Sequence, residues 1–96
     1  MLLDELRAQR KTIEALGKRY GARHIRVFGS VARGQERADS DVDFLVDFPP
    51  GYDLFGQRLP LTDQWARITG RRVELVPEHE LSWRIRDHVL SEAVEL

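Results

Sequence analysis

Ninety-six residues, 42% of them hydrophobic and 32% charged, are enough for one domain with a single modest core. A net charge of −1 gives no global field to attract nucleic acid or an anionic membrane, although a local basic patch stays open. The lack of Cys excludes disulfides, thiolate metal sites and a Cys nucleophile, and with no cleavable signal pattern and no apolar run near about 18 residues a soluble cytoplasmic protein is expected.

Residues 2 to 20 read as one amphipathic helix, with Leu2, Leu6, Ile13, Leu16 and Tyr20 at helical spacing and Gly21 as its stop. His24 to Phe28 reads as a short strand with Ile25 and Val27 on one face, broken by Gly29. Ser30 is placed to cap a short helix from Val31 to Gly34, which would leave amide donors near it free to meet an anion. Gln35 to Ser40 is polar and reads as a loop. Asp41 to Phe48 is the clearest strand: Val42, Phe44 and Val46 alternate with Asp41, Asp43 and Asp47, and Leu45 falls on the acid face, where it needs its own cover. Pro49-Pro50-Gly51 ends it.

Asp53 to Thr69 reads as helical, with Asp53 as a possible N-cap and Leu54, Leu61, Trp65 and Ile68 on one side. Pro60 deletes a helical donor, so a kink or a break is expected there. Arg71 to Val76 is a third strand, with Val73 and Leu75 facing opposite to Arg72, Glu74 and Val76. Ser82 to Leu96 reads as a last helix with two apolar stripes, one through Leu81, Ile85, Val89, Ala93 and Leu96, the other through Trp83, Leu90 and Val94. Two stripes are more apolar surface than a small sheet needs, and part of it suits either the end of the core or another chain. The order implies an α/β (α+β) domain spanning residues 1 to 96, a small mixed sheet with flanking helices.

Asp41 and Asp43 project from one strand face and repel each other unless a hard divalent cation, which takes oxygen ligands readily, lies between them. Alternating acids also occur on ordinary surface strands. Glu74 joins them if the second and third strands are neighbours; otherwise it is an exposed strand acid. Asp47 shares their face but lies roughly 20 Å along the strand from Asp41, too far for the same cation. Gly29 permits close backbone approach to a ligand, Ser30 offers a hydroxyl and an amide, and Arg33 follows within a helical turn. No P-loop or G-x-G-x-x-G is present. His24, His79 and His88 share no metal-ligand spacing, and nucleic-acid binding lacks both a basic face and interleaved aromatics.

Gly29-Ser30, a spacer of about ten residues and Asp41-x-Asp43 opening a strand together resemble the nucleotidyltransferase superfamily of the DNA polymerase β type. The finer form, GSVARG followed by SDVDFLVDF, looks like its minimal nucleotidyltransferase (MNT) group. RRVELV and IRDHVLSEAVEL extend the likeness over nearly the whole chain, most weakly over residues 50 to 68. The resemblance implies a polymerase β palm-like core. Asp41, Asp43 and Glu74 would be the catalytic, Mg²⁺-binding carboxylates, with Asp at the third position in many relatives. Gly29, Ser30 and Arg33 would bind the triphosphate of ATP or another NTP. It further implies in-line attack by an acceptor hydroxyl on the α-phosphate, and a HEPN-domain partner whose tyrosine is adenylylated, the enzyme serving as its antitoxin. A binding module that neutralises its partner by occlusion is the alternative. A small-molecule nucleotidyltransferase would need an acceptor-binding domain that the predicted core leaves no residues to build.

Overall fold

The computed structural model describes all 96 residues. Five helices and four strands follow in the order α1 (Leu2–Ala8), α2 (Arg10–Arg19), β1 (Arg23–Phe28), α3 (Gly29–Ala32), β2 (Val42–Asp47), α4 (Leu59–Thr69), β3 (Val73–Pro77), α5 (Trp83–Glu92) and β4 (Val94–Glu95). The sheet order is β3-β2-β1-β4. β2 runs antiparallel to β1 and parallel to β3, and β4 runs antiparallel to β1, so the sheet is mixed as expected.

Period-two alternation on β2 fixes which face is core. Val42, Phe44 and Val46 are fully buried and cluster with Val27 and Leu75 of the neighbouring strands. Leu2, Leu6, Ile13, Leu61 and Trp65 from α1, α2 and α4 close this side. The Phe44 and Trp65 rings pack at a tilt with centroids 4.3 Å apart, and the Trp65 indole donates to the Ile13 carbonyl, which satisfies its one polar atom in the core.

Leu45 is buried on the opposite face. Its partner across the sheet is Arg26, itself only 6% exposed. The Arg26 guanidinium pairs with Asp47 at 3.0 Å and Glu78 at 2.8 Å and donates to the His24 carbonyl, so no donor group is stranded. Arg86 of α5 binds the same Glu78, which draws α5 over this face. Asp47 is thus a structural ion-pair partner, remote from the candidate cation site as its position on the strand requires.

Several element boundaries differ from the sequence reading. The first helix breaks at Gln9, whose side chain donates to the Ile68 carbonyl at the end of α4. Residues 54 to 58 form a π-helical turn, with Asp53 accepting from the Phe55 amide as N-cap; Pro60 then sits harmlessly in the first turn of α4. Leu54 is exposed and not part of the core. Ser30 lies inside α3, whose N-cap is Phe28, and its side chain makes no capping bond. The last helix stops at Glu92, and Val94 crosses to pair with Val27. Of the two apolar stripes only Val89 is buried; Trp83 is 81% and Ile85 49% exposed. No helix is long and apolar enough to cross a membrane.

Candidate functional site

The site lies where β2 begins and β1 ends. Phe28 pairs with Asp43, so the chain turns into α3 directly beside the Asp43 carboxylate. Gly29 takes φ +74 there, and a Cβ at this position would collide with the Asp43 carboxylate. Only glycine serves both demands, a left-handed backbone and close approach to an acid. On the other side of β2, the parallel register sets Asp43 opposite Glu74. The third acid inferred from parity therefore shares a face and a level with the second.

Asp43 carries the electrostatic consequence. Its pKa is pushed up to about 6, first by burial, then by the charges of Glu74 and Asp41, by the close approach of the Glu74 carboxyl, and by Glu92. Asp41 is also close but is turned aside: the exposed Arg72 donates from Nε to its Oδ1 at 2.7 Å. As the side chains stand, no three of the site's acids converge on one cation position. The fit to a divalent cation is therefore carried by Asp43 and Glu74, whose mutual repulsion a cation would relieve. For Asp41 to join them, it would have to give up Arg72. All-oxygen donors of this kind suit a hard ion.

On the phosphate side, Gly29, Ser30 and Arg33 sit on the one short turn that adjoins Asp43. Two residues that sequence reasoning did not select share this site. One is Arg72. The other is Glu92, at the end of α5. It accepts from the Gly29 amide at 2.8 Å and from Arg33 Nη1 at 3.0 Å. Neither follows from a motif, because each acts across the fold on a residue far away in the chain. The surface hollows of the molecule lie elsewhere, the largest, about 740 Å³, between Lys18, Arg23, Asp47 and Phe48. The acids thus stand on an open face rather than in a pocket.

Residues 9–96 match the nucleotidyltransferase domain family. The protein adenylyltransferase MntA of Thermococcus cleftensis is 42% identical over 79 residues, which cover 82% of this chain and 79% of that one. A Methanocaldococcus jannaschii protein, provisionally named a protein adenylyltransferase, is 31% identical over 92% of each chain. A solved structure provisionally named a minimal nucleotidyltransferase superposes with a TM-score of 0.86 at 45% identity, covering 100% of this chain and 97% of that one. A toxin–antitoxin structure with AMP-PNP shares the fold, with a TM-score of 0.75 at 23% identity over 88% of this chain and 69% of that one.

Proposed function

The chain belongs to the nucleotidyltransferase family, as one of its minimal members, and on that premise we propose that it moves AMP from ATP to a hydroxyl of a partner protein. The observation that carries this reading is the in-register pair Asp43–Glu74 beside the Gly29 turn, which sets acids that want a cation against donors that want an anion. The relatives named protein adenylyltransferases support ATP as the donor and a protein as the acceptor.

In this reading Asp41, Asp43 and Glu74 hold Mg²⁺, which when bound neutralises charge on the triphosphate and lowers the cost of ionising the attacking hydroxyl. Gly29, Ser30 and Arg33 orient the triphosphate so that the α-phosphate faces the acids. The acceptor oxygen forms a bond to the α-phosphorus as the bond to the bridging oxygen breaks, and pyrophosphate departs. The acceptor proton passes to a carboxylate of the site, the third acid, Glu74, being the one that also serves there. An open site face fits an acceptor presented by another chain. By resemblance that chain is a HEPN-domain protein, with this chain as its antitoxin.

The second reading, neutralisation by occlusion, draws on Asp41 being held by Arg72. One double variant separates the two. With co-purified partner and α-labelled ATP, Asp41→Ala/Asp43→Ala should cut label transfer by at least about 10³-fold, because it removes most of the charge that holds the cation. Undiminished transfer would sink the enzymatic reading. Loss of transfer together with loss of neutralisation excludes occlusion; loss of transfer with full neutralisation favours it.

A further inference from the structure

Glu92 enters the site from an element that none of the site motifs covers. Its position is set by strand register. Val94 pairs with Val27 in antiparallel sense, so the end of α5 two residues before Val94 is brought to the start of α3 two residues after Val27, and the Gly29 amide donates to Glu92. α5 ends at Glu92, and Ala93 turns to extended backbone, which directs the carboxylate at the turn.

The contacts made there use the donors that the phosphate reading assigns to nucleotide. The Gly29 amide gives its single proton to Glu92 Oε1, and Arg33 meets Oε2, with His88 Nε2 at 3.4 Å from the same oxygen. The Glu92 side chain is only 14% exposed, against 45% for Arg33. Burial pushes its carboxyl pKa up, but the Gly29 amide, Arg33 and His88 outweigh that and hold it below the ordinary glutamate value. A carboxylate on a backbone amide and a guanidinium is the arrangement these donors would offer a phosphate. An amide with one proton serves one acceptor at a time, and a fixed negative charge repels a triphosphate even when it does not block it.

We propose that Glu92 is a positioning residue that occupies the anion donors of the Gly29–Arg33 turn and yields them when nucleotide binds, so that its charge sets nucleotide affinity. The inference rests on the reading of this turn as the triphosphate site. In a nucleotide-free molecule Glu92 keeps Arg33 folded over the turn and the turn against Asp43. On binding, Arg33 exchanges one anion for another without being newly desolvated.

The test is metal-free binding of inorganic tripolyphosphate and of ATP to the full chain by calorimetry in chelator. Glu92→Gln keeps an acceptor for the Gly29 amide but removes the charge and the Arg33 pair. It should tighten tripolyphosphate by about three- to tenfold, the modest range expected of partly screened charges. In steady state KM for ATP should fall while kcat does not rise. A purely structural brace moves these the other way, since loosening the turn weakens binding. Glu92→Asp, which keeps the charge but withdraws it by one methylene, should tighten binding less. It carries the test by itself if Glu92→Gln does not fold. Arg33→Gln separates the two levels of inference. If it leaves tripolyphosphate affinity unchanged, the phosphate reading of the turn fails and the role of Glu92 fails with it. If Arg33→Gln weakens binding but neither Glu92 variant tightens it, only the role of Glu92 is overturned.

Discussion

Asp43 is half-buried, faces Glu74 across the strand pair and has Asp41 and Glu92 nearby, and it holds its proton up to about pH 6. The sign of its effect on stability follows. An unfolded aspartate ionises near its ordinary value of 3.8, so below that pH the group is neutral in both states and costs nothing. Between that value and about 6 the folded state keeps a proton the unfolded state has lost. Above about 6 the folded state ionises as well, at full cost. Asp43→Asn keeps the shape without the charge and should therefore stabilise the protein. Discounted for solvent screening, the gain is about 1 kcal/mol, or roughly 4–8 °C in Tm for a domain this size. Thermal unfolding in chelator should show that gain at pH 8 and none at pH 3.5. A variant that melts lower than wild type at pH 8 would mean that the acids are not in conflict.

The elements were legible in the sequence to the extent that one period governed each of them. Alternation on β2 set Asp41 and Asp43 against Val42 and Phe44, and parity on β3 set Glu74 against Leu75; the parallel pairing of the two strands then brought Asp43 and Glu74 level. Where one element answers to another far away, local pattern is silent. The helical period runs on past Glu92, yet Val94 leaves it to pair with Val27. The first helix looks continuous, yet Gln9 breaks it to reach the Ile68 carbonyl. Arg26 is the strongest case, a charged residue in a short strand whose burial follows only from its two partners. It ties β1 to Asp47 at the end of β2 and, through Glu78, to α5. Arg26→Met should cost about 2 kcal/mol, less than for a fully buried pair because both carboxylates reach solvent. Arg26, outweighing the effect of burial, leads Arg86 in holding the Glu78 carboxyl below its ordinary value, so that this part of the stability is present at neutral pH and lost on acidification through the depressed value. Chemical denaturation should therefore show the deficit of Arg26→Met to be largest near pH 7 and smaller near pH 4. An equal deficit at both would mean that packing rather than charge is what Arg26 contributes.

At the scale of the whole molecule, the two ends of the sheet carry different groups. Asp43 and Glu74 stand toward the start of β2 and β3, where β1 ends at Phe28. Both tyrosines lie at the opposite end. Tyr20 precedes β1, whose first residue, Arg23, pairs with Asp47 at the end of β2, and Tyr52 follows the turn after that strand. From Asp43 to Asp47 alone the strand advances about 13 Å, several times the reach of an in-line attack. The Tyr52 hydroxyl is further occupied, donating to Glu80 and accepting from Arg58, and burial raises its pKa. A nucleotide held at the proposed site therefore lies away from both tyrosines of its own chain. The isolated protein incubated with Mg²⁺ and ATP should gain no AMP on Tyr20 or Tyr52, as read by peptide mass spectrometry, and modification should appear on the partner when it is added. AMP found on Tyr52 of the isolated chain, at a rate independent of protein concentration, would require the two ends of the sheet to meet and would overturn the open-face reading. A rate that rises with concentration would instead make a second copy of the chain an acceptor in trans.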